Sequence, residues 1–505
     1  MSRTAVFVFP SAAGHVNPSL PLCKELVTLG WRVEYLGVAP FKSAIENTGA
    51  TFHDRDHICA ELGISDVTAM FYKTLEEYDD PGAKMWALNF GSIAAEKLLP
   101  VYLSFLRHHS PHLVVYCPVL CSVAHLAATY LNIPDVSLLT AAGPGFWDAA
   151  FASSGGSAAG LITAIRVNTA NTRAIEGIRS LINMPNLSLN TSESEPLIHE
   201  YYTGVNIVTT IASMADVLNE NDAQFYESKG KKFEFVGPLL GESQATVAAA
   251  SSEEEVADLF KHVQEAAAAN RKVIYVSMGT VVTGDAPEHG WNGTSGSALT
   301  GKQLCQAVFQ AVFAELGSGE SPLLSPPPPP PPPPLLPPPP PLVVVSVGPQ
   351  PDALAGVHVP ENAICLKSVP QVRLLRLAKP ALVVTNGGQN SFIEALSVGT
   401  PLVVCPGMGD QKTNAARAQK LGVGVAVDRP PLTLSETDIA EKGVEVAVAY
   451  QAAVSNAIRE VLSVSREAFL TKAQAIAAEL EQGGGVETAI QILLKAANVK
   501  TSPRL

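Results

Sequence analysis

Residues 381–427, ALVVTNGGQNSFIEALSVGTPLVVCPGMGDQKTNAARAQKLGVGVAV, hold the densest set of side chains that could do chemistry. A buried-strand pattern, ALVVT, runs into Gly387–Gly388, where a tight turn allows close approach to the backbone. The spacing predicts a helix from about Asn390 to Val398, ended by Gly399. Its first N–H groups lack intrahelical partners and sit at the positive end of the helix dipole, which suits an anionic oxygen such as a diphosphate. Asn386, Asn390 and Ser391 add side-chain donors there, and Glu394, one turn further in, offers a carboxylate to vicinal hydroxyls such as those of a ribose. After the strand PLVVCP, the loop GMGDQ presents Asp410 and Gln411, an acceptor and an amide suited to sugar hydroxyls. Any one of these features could be a simple turn or helix cap. Together they converge on one sheet edge and point to a nucleotide-sugar site.

His15 is the second candidate. It follows Gly14 in the loop after the strand AVFVF and precedes a helix start. Imidazole titrates near neutral pH and can move a proton, although a lone histidine there could equally be a cap or a solvated loop residue. His108, His109, His112 and His125 lack such a setting and read as structural or exposed.

Strands alternating with helices must position these groups. AVFVF, RVEYLG and ATFHD read as strands, with LPLCKELVTLG and FKSAIENTG as helices between them, Asn17 as a cap and Pro18 in the first turn. HLVVYCP and SVAHLAATYLNIP continue the series, and such short connections imply a parallel, doubly wound sheet. The stretches 56–110 and 141–205 look less regular and read as insertions that build a substrate pocket, with Trp86, Phe90, Phe146 and Trp147 as candidate wall residues. Core filling is the competing reading for any single one of them.

A second αβ series begins with KVIYVSMGT, whose loop holds Gly279 and Thr280, and continues through KQLCQAVFQAVFAEL and LVVVSVG. The prolines of 326–341 interrupt it between helix and strand, as a polyproline II bulge that could dock in an aromatic groove of a partner. The segment 455–482 reads as helical, followed by three glycines and a last helix. The expected organisation is a first domain over 1–240, a linker at 241–255, a second domain over 256–482 and a closing helix and tail at 483–505. A cleft is expected between the two domains.

A length of 505 residues suggests two domains, and 47% hydrophobic against 16% charged residues supports extensive cores. The net charge of −13 argues against a nucleic-acid partner. No apolar run is long enough for a transmembrane segment, and the stretch before Pro10 is too short for a secretory signal. Seven scattered cysteines without zinc-ribbon or disulfide-scaffold spacing fit a soluble cytoplasmic protein.

TNGGQNSFIEAL and GTPLVVCPGMGDQKTNAAR resemble the donor-binding signature of the UDP-glycosyltransferases, in particular the branch that includes macrolide glycosyltransferases. GHVNPSLPLCKEL is similar to that family's acceptor-side motif, FVGP to the end of its first domain, SVPQVRLL to its nucleobase segment, and AAELEQGGGVETAIQILL to its closing helices. The resemblance is weaker across 56–230. It implies an α/β GT-B fold, with two Rossmann-like doubly wound domains facing across a cleft. It also implies inversion at the anomeric carbon, no cofactor, no metal, and a UDP-sugar as co-substrate. The implied reaction moves a hexose to a hydroxyl of a lipophilic small molecule. His15 takes the acceptor's proton, and Gly279, Thr280 and Gln371 join the donor residues.

Three positions depart from the family pattern. Cys117 stands where an Asp usually orients the histidine, Asn386 where a His opens the glycine turn, and Ser368 where a Trp often stacks on the base. A neutral thiol cannot stabilise imidazolium as a carboxylate does. These departures predict slow transfer or, in the alternative, a degenerate protein that binds a nucleotide-sugar or a lipophile without turnover.

Overall fold

The computed structural model describes residues 3–61, 63–64, 92–153, 158–187, 189, 195–241, 251–318, 339–432, 436–463 and 466–498. Trp86, Phe90, most of the expected linker and the prolines at 326–334, 337 and 338 lie outside them. The chain divides into two compact units, Met1–Ala245 with Leu480–Leu505, and Thr246–Glu479.

The first unit is laid down as β1 (Thr4–Val8), α1 (Ala13–Val16), α2 (Leu20–Thr28), β2 (Arg32–Gly37), α3 (Lys42–Glu46), β3 (Thr51–Asp54) and α4 (Arg55–Glu61). Then come α5 (Ser92–His109), β4 (Leu113–Tyr116), α6 (Ser122–Tyr130), β5 (Asp135–Leu139), α7 (Phe146–Ser153), α8 (Ala158–Val167) and α9 (Thr169–Leu181). β6 (Val205–Val208), α10 (Glu220–Ser228) and β7 (Lys232–Phe235) complete its sheet. The seven strands lie in the order β3-β2-β1-β4-β5-β6-β7, and every pair is parallel. β1, β4 and β5 are buried along their whole length, as near-continuous apolar runs in a sheet covered on both faces require.

The second unit repeats the plan. It runs α11 (Glu253–Ala268), β8 (Val273–Ser277), α12 (Gly301–Leu316), β9 (Leu342–Ser346), β10 (Ala363–Leu366), α13 (Gln371–Ala378), β11 (Leu382–Thr385) and α14 (Gln389–Ser397). β12 (Leu402–Val404), α15 (Asp410–Leu421), β13 (Gly424–Ala426), α16 (Glu436–Leu462) and α17 (Arg466–Gln482) follow. Six strands take the order β10-β9-β8-β11-β12-β13, again all parallel. In each sheet the first strand therefore has the second on one side and the fourth on the other, the doubly wound order with a switch point between first and fourth.

Several local expectations are corrected. Asn17 is not the N-cap of the long helix: a one-turn α1 already begins at Ala13 and has Asn17 as its C-cap, Asn17–Ser19 is a 3-10 turn, and α2 starts at Leu20. Pro18 has no N–H to give, so the chain passes through a tighter turn there before the α-helix resumes. The supposedly irregular stretches contain regular helices, among them the 18-residue α5. Its leucines, with Ile93, Val101, Tyr102 and Phe105, carry a buried face straight past Pro100. The helical segment expected at 455–482 is the end of α16 and a separate α17.

The last helix, α18 (Gly485–Ala496), belongs to the first unit, where Ala489, Ile490 and Leu493 are buried in the core. Leu493 is 0% exposed, so Leu493→Ala removes buried methyls and leaves a cavity. We expect a loss of about 2–5 kcal/mol, read in a urea melt that follows tyrosines of the first unit. A loss below about 0.5 kcal/mol, the level of a surface substitution, would mean that α18 does not hold that core.

Candidate functional site

Two polar clusters form, one at each switch point. In the first unit, Cys117 immediately follows β4, while His15 sits in α1, just beyond β1. Val8 at the end of β1 pairs with Tyr116 at the end of β4, so the two loops leave the sheet side by side. His15 Nδ1 lies 3.3 Å from Cys117 Sγ and 2.9 Å from Thr140 Oγ1. Thr140 is the first residue past β5, the strand beside β4. Its part could have been read only from the strand order, which places three strand ends together.

His15 is half-buried, and burial pushes its imidazole down to about 4. Burial likewise pushes the Cys117 thiol up to about 12, so it stays protonated at neutral pH. Both contacts to Nδ1 are therefore neutral, and nothing in them offsets the cost of charging the ring. In the tautomer with its proton on Nδ1, that nitrogen donates to Thr140 and Nε2 is the one that can accept a proton. Because the folded value lies below the unfolded one of about 6.5, the unfolded chain takes up the proton first. Stability linked to this group is full above about pH 6.5 and falls as pH drops toward 4. We expect the His15 ring signals in an NMR titration to stay neutral down to about pH 4. In Cys117→Asp the midpoint should rise, because a carboxylate favours imidazolium. A wild-type midpoint near 6.5 would refute this account of the pocket.

Phe146 and Trp147 open α7 with ring centroids 4.3 Å apart. Both are buried in the core of the first unit, at 8% and 6% exposure.

In the second unit, β8 and β11 run in register from Ile274 with Leu382 to Ser277 with Thr385. Gly279 lies in the loop beyond β8 with φ +75, and a Cβ there would come 2.6 Å from Asn386 Nδ2. Thr280 beside it is exposed. Asn386 is buried, and its Oδ1 accepts from Gly388 N at 3.3 Å. Gly387 has φ +79, with Val404 Cγ1 2.5 Å from the place of a Cβ, so only glycine fits. Thr385 Oγ1 accepts from Gly387 N at 3.2 Å, and Asn414 Nδ2 donates to Gly387 O at 2.8 Å. The turn is thus held from both sides.

Helix α14 begins one residue earlier than expected, at Gln389, with Gly388 as its N-cap and no side-chain cap. A Cβ on Gly388 would meet nothing nearer than Asn386 Oδ1 at 3.7 Å. The protein itself does not need glycine there for space. A ligand set against the helix start would, because a side chain would intrude on its approach.

Gln371, at the start of α13, links the rest of the cluster. Its Nε2 donates to Glu394 Oε2 at 2.5 Å and to Ser391 Oγ at 3.1 Å, and its Oε1 accepts from Tyr275 Oη at 3.0 Å. Glu394 is buried and oriented. Asn390 and Ser391 are half-buried on the first turn of α14. Asp410 is exposed as the first residue of α15. Gln411 is buried, its Oε1 accepting from Gly407 N at 2.8 Å and Met408 N at 3.2 Å. The carbonyl half of that amide shapes its own loop.

Ser368 is tied to Ser251, donating N–H to its Oγ at 3.2 Å and accepting from Ser251 N on its own Oγ at 3.2 Å. Sequence reasoning missed Tyr275, Asn414 and Arg429. Asn414 was within reach, three residues past Gln411 and so on the same helix face. The buried Arg429 donates to Gly407 O at 3.2 Å and Gly293 O at 3.1 Å, joining loops far apart in the sequence, and nothing local announces it.

The two glycines can be separated by experiment. Gly387→Ala should cost about 1–3 kcal/mol, through strain at positive φ and the contact with Val404. Gly388→Ala should cost under about 1 kcal/mol and yet weaken binding of a diphosphate. Thermal melts with and without UDP measure both effects. Equal UDP-induced shifts in wild type and Gly388→Ala would remove the helix start as a phosphate site.

Residues 346–458 match the family model of the UDP-glucoronosyl and UDP-glucosyl transferases. NDP-glycosyltransferase YjiC of Bacillus subtilis is 37% identical over 102 residues, 20% of this chain and 26% of that protein. The uncharacterized UDP-glucosyltransferase YdhE of Bacillus subtilis is 22% identical over 85% of this chain and 86% of its own. The match spans only 16%, 26% and 34% of the length of the first curated relatives. Among solved structures, the glycotransferase of kitacinnamycin superposes with a TM-score of 0.58 at 19% identity, covering 98% of this chain and 99% of its own. That likeness is one of fold: two parallel-sheet α/β domains of the GT-B kind.

Proposed function

We propose that this chain, a member of the UDP-glycosyltransferase family, moves a hexose from a UDP-sugar to a hydroxyl of a lipophilic small molecule, with inversion at the anomeric carbon. The observation that carries the reading is the start of α14, a helix without a side-chain cap that opens on Gly388 beside the second switch point. The N-terminal end of the helix favours the diphosphate and, more strongly, the charge that grows on it as the sugar leaves. Glu394, oriented by Gln371, suits the ribose hydroxyls. Asp410 and the Nε2 of Gln411 suit the sugar.

His15 is the base. The acceptor oxygen forms a bond to the anomeric carbon as the bond from that carbon to the diphosphate breaks. The hydroxyl proton passes to Nε2, and UDP leaves with the electron pair of the broken bond. A low pKa keeps the ring ready to accept at neutral pH but makes it a weak base. The neutral Cys117 thiol gives the resulting imidazolium no countercharge, so transfer is slow. All seven cysteines are free thiols, which supports a cytoplasmic setting.

In His15→Ala, acceptor-dependent UDP release should fall by about 10²–10⁴-fold, with the thermal shift by UDP unchanged. Cys117→Asp should raise the rate. Undiminished release in His15→Ala would remove the base. A melt panel in which UDP and its sugars stabilise no more than other nucleoside diphosphates would remove the donor assignment.

A further inference from the structure

On the opposite flank of the first sheet from the β4–β5 strand ends, Glu34 of β2, His53 of β3 and His109 at the end of α5 face one another. Leu36 pairs with His53 and Glu34 with Thr51, so Glu34 and His53 share one face of the sheet. His53 Nε2 lies 2.7 Å from Glu34 Oε2, and His109 Nδ1 lies 3.8 Å from Glu34 Oε1. The two imidazole centroids are 4.7 Å apart, with Phe105 against both rings. The carboxylate side chain is 6% exposed and His109 11%, while His53 at 24% leaves an approach from solvent.

We propose that Glu34, His53 and His109 form a binding site for one divalent transition-metal ion of the zinc class, separate from the transfer site. Two imidazoles and one carboxylate are a set that zinc accepts, with water as a fourth ligand. One potential ligand atom from each residue lies within 4.8 Å of the other two. Bonds of about 2.0–2.2 Å in a tetrahedron put ligand atoms about 3.4 Å apart. Small side-chain rotations suffice: the 2.7 Å contact of His53 with Oε2 opens, and the His109 ring, whose Nδ1 stands 3.8 Å from the Oε1 of the same carboxylate, turns toward Oε2. Arg32 Nε, 3.0 Å from Glu34 Oε1, occupies the other carboxylate oxygen. Glu34 would therefore bind through Oε2 alone, with Arg32 orienting it from behind as outer-shell partners do. The ion would tie the end of an 18-residue helix to the edge strand β3 and its neighbour β2. Its role is thus to brace the sheet, with no part in the reaction.

The test uses full-length protein stripped with a chelator and titrated calorimetrically with zinc chloride. One ion per chain is expected. Loss of an outer-shell partner alone costs about 10–100-fold, so His53→Gln and His109→Gln should each weaken binding by at least about 100-fold. His262→Gln, an exposed histidine of the second unit, should bind as wild type does. In wild-type protein, whatever the folding of the variants, zinc should shift the imidazole nitrogen signals of His53 and His109 and leave that of His262 in place. No saturable binding by wild type, equal binding by the His53 and His109 variants, or unmoved signals at those two rings would each overturn the site.

Discussion

Each sheet reverses its direction of growth beside its first strand, and both polar clusters exist because of that reversal. Crossovers between parallel strands are right-handed, so helices wound outward from β1 in opposite directions cover opposite faces of the sheet. They cannot also cover the ends of β1 and β4, or of β8 and β11, where the two windings part. Residues leaving those ends are held close to one another and to an opening. His15 meets Cys117 across the first pair; Gly279 meets Asn386 across the second. The same constraint, applied twice, produces one cluster of weakly polar side chains and another built from backbone and amides.

What distinguishes the two is how the polar groups are satisfied. Around Gly387 every contact named is a neutral hydrogen bond between close neighbours: Thr385, Asn414 and Gly388 with Asn386. Such a turn can be buried without an uncompensated charge. It is rigid before any ligand arrives, because positive φ at Gly387 and the crowding by Val404 leave few alternatives. Rigid donors at a helix start need not reorganise when negative charge builds up in front of them, which is where such sites gain their effect. The Gln371–Glu394 pair brings a carboxylate into the cluster, and Tyr275 fixes the far end of that amide.

The strands and the glycine turn were legible because their signals are local. Apolar runs of four or five residues bounded by Gly or Pro gave β1, β4, β8, β9 and β11, and Gly387 announced its own positive φ. Helix starts were less legible: at Asn17 a good capping residue lost to a proline that forced a 3-10 turn. Regularity was hidden in α5 by Pro100 inside the helix and in α7 and α8 by Ala-rich composition, which suits a helix and an insertion alike. The residues named on the motif lie together around one glycine turn, whereas Thr140, Tyr275 and Arg429 make their contacts across sequence distances that no window spans. Phe146 and Trp147 pack into the core of the first unit, a placement that their aromatic character alone did not announce.

The Cys117 position shows how burial and charge stabilisation pull apart. A carboxylate beside His15 would stabilise imidazolium, but in a buried place it must be compensated whenever the ring is neutral. A thiol held protonated by that burial carries no such cost. The cluster as it stands therefore suits a neutral ring and offers little to an imidazolium. Thr140 does not change this balance: a hydroxyl at 2.9 Å can select the tautomer and hold the ring, yet it supplies no charge. Orientation and electrostatic stabilisation, which a single aspartate would provide together, are here separated, and only orientation remains.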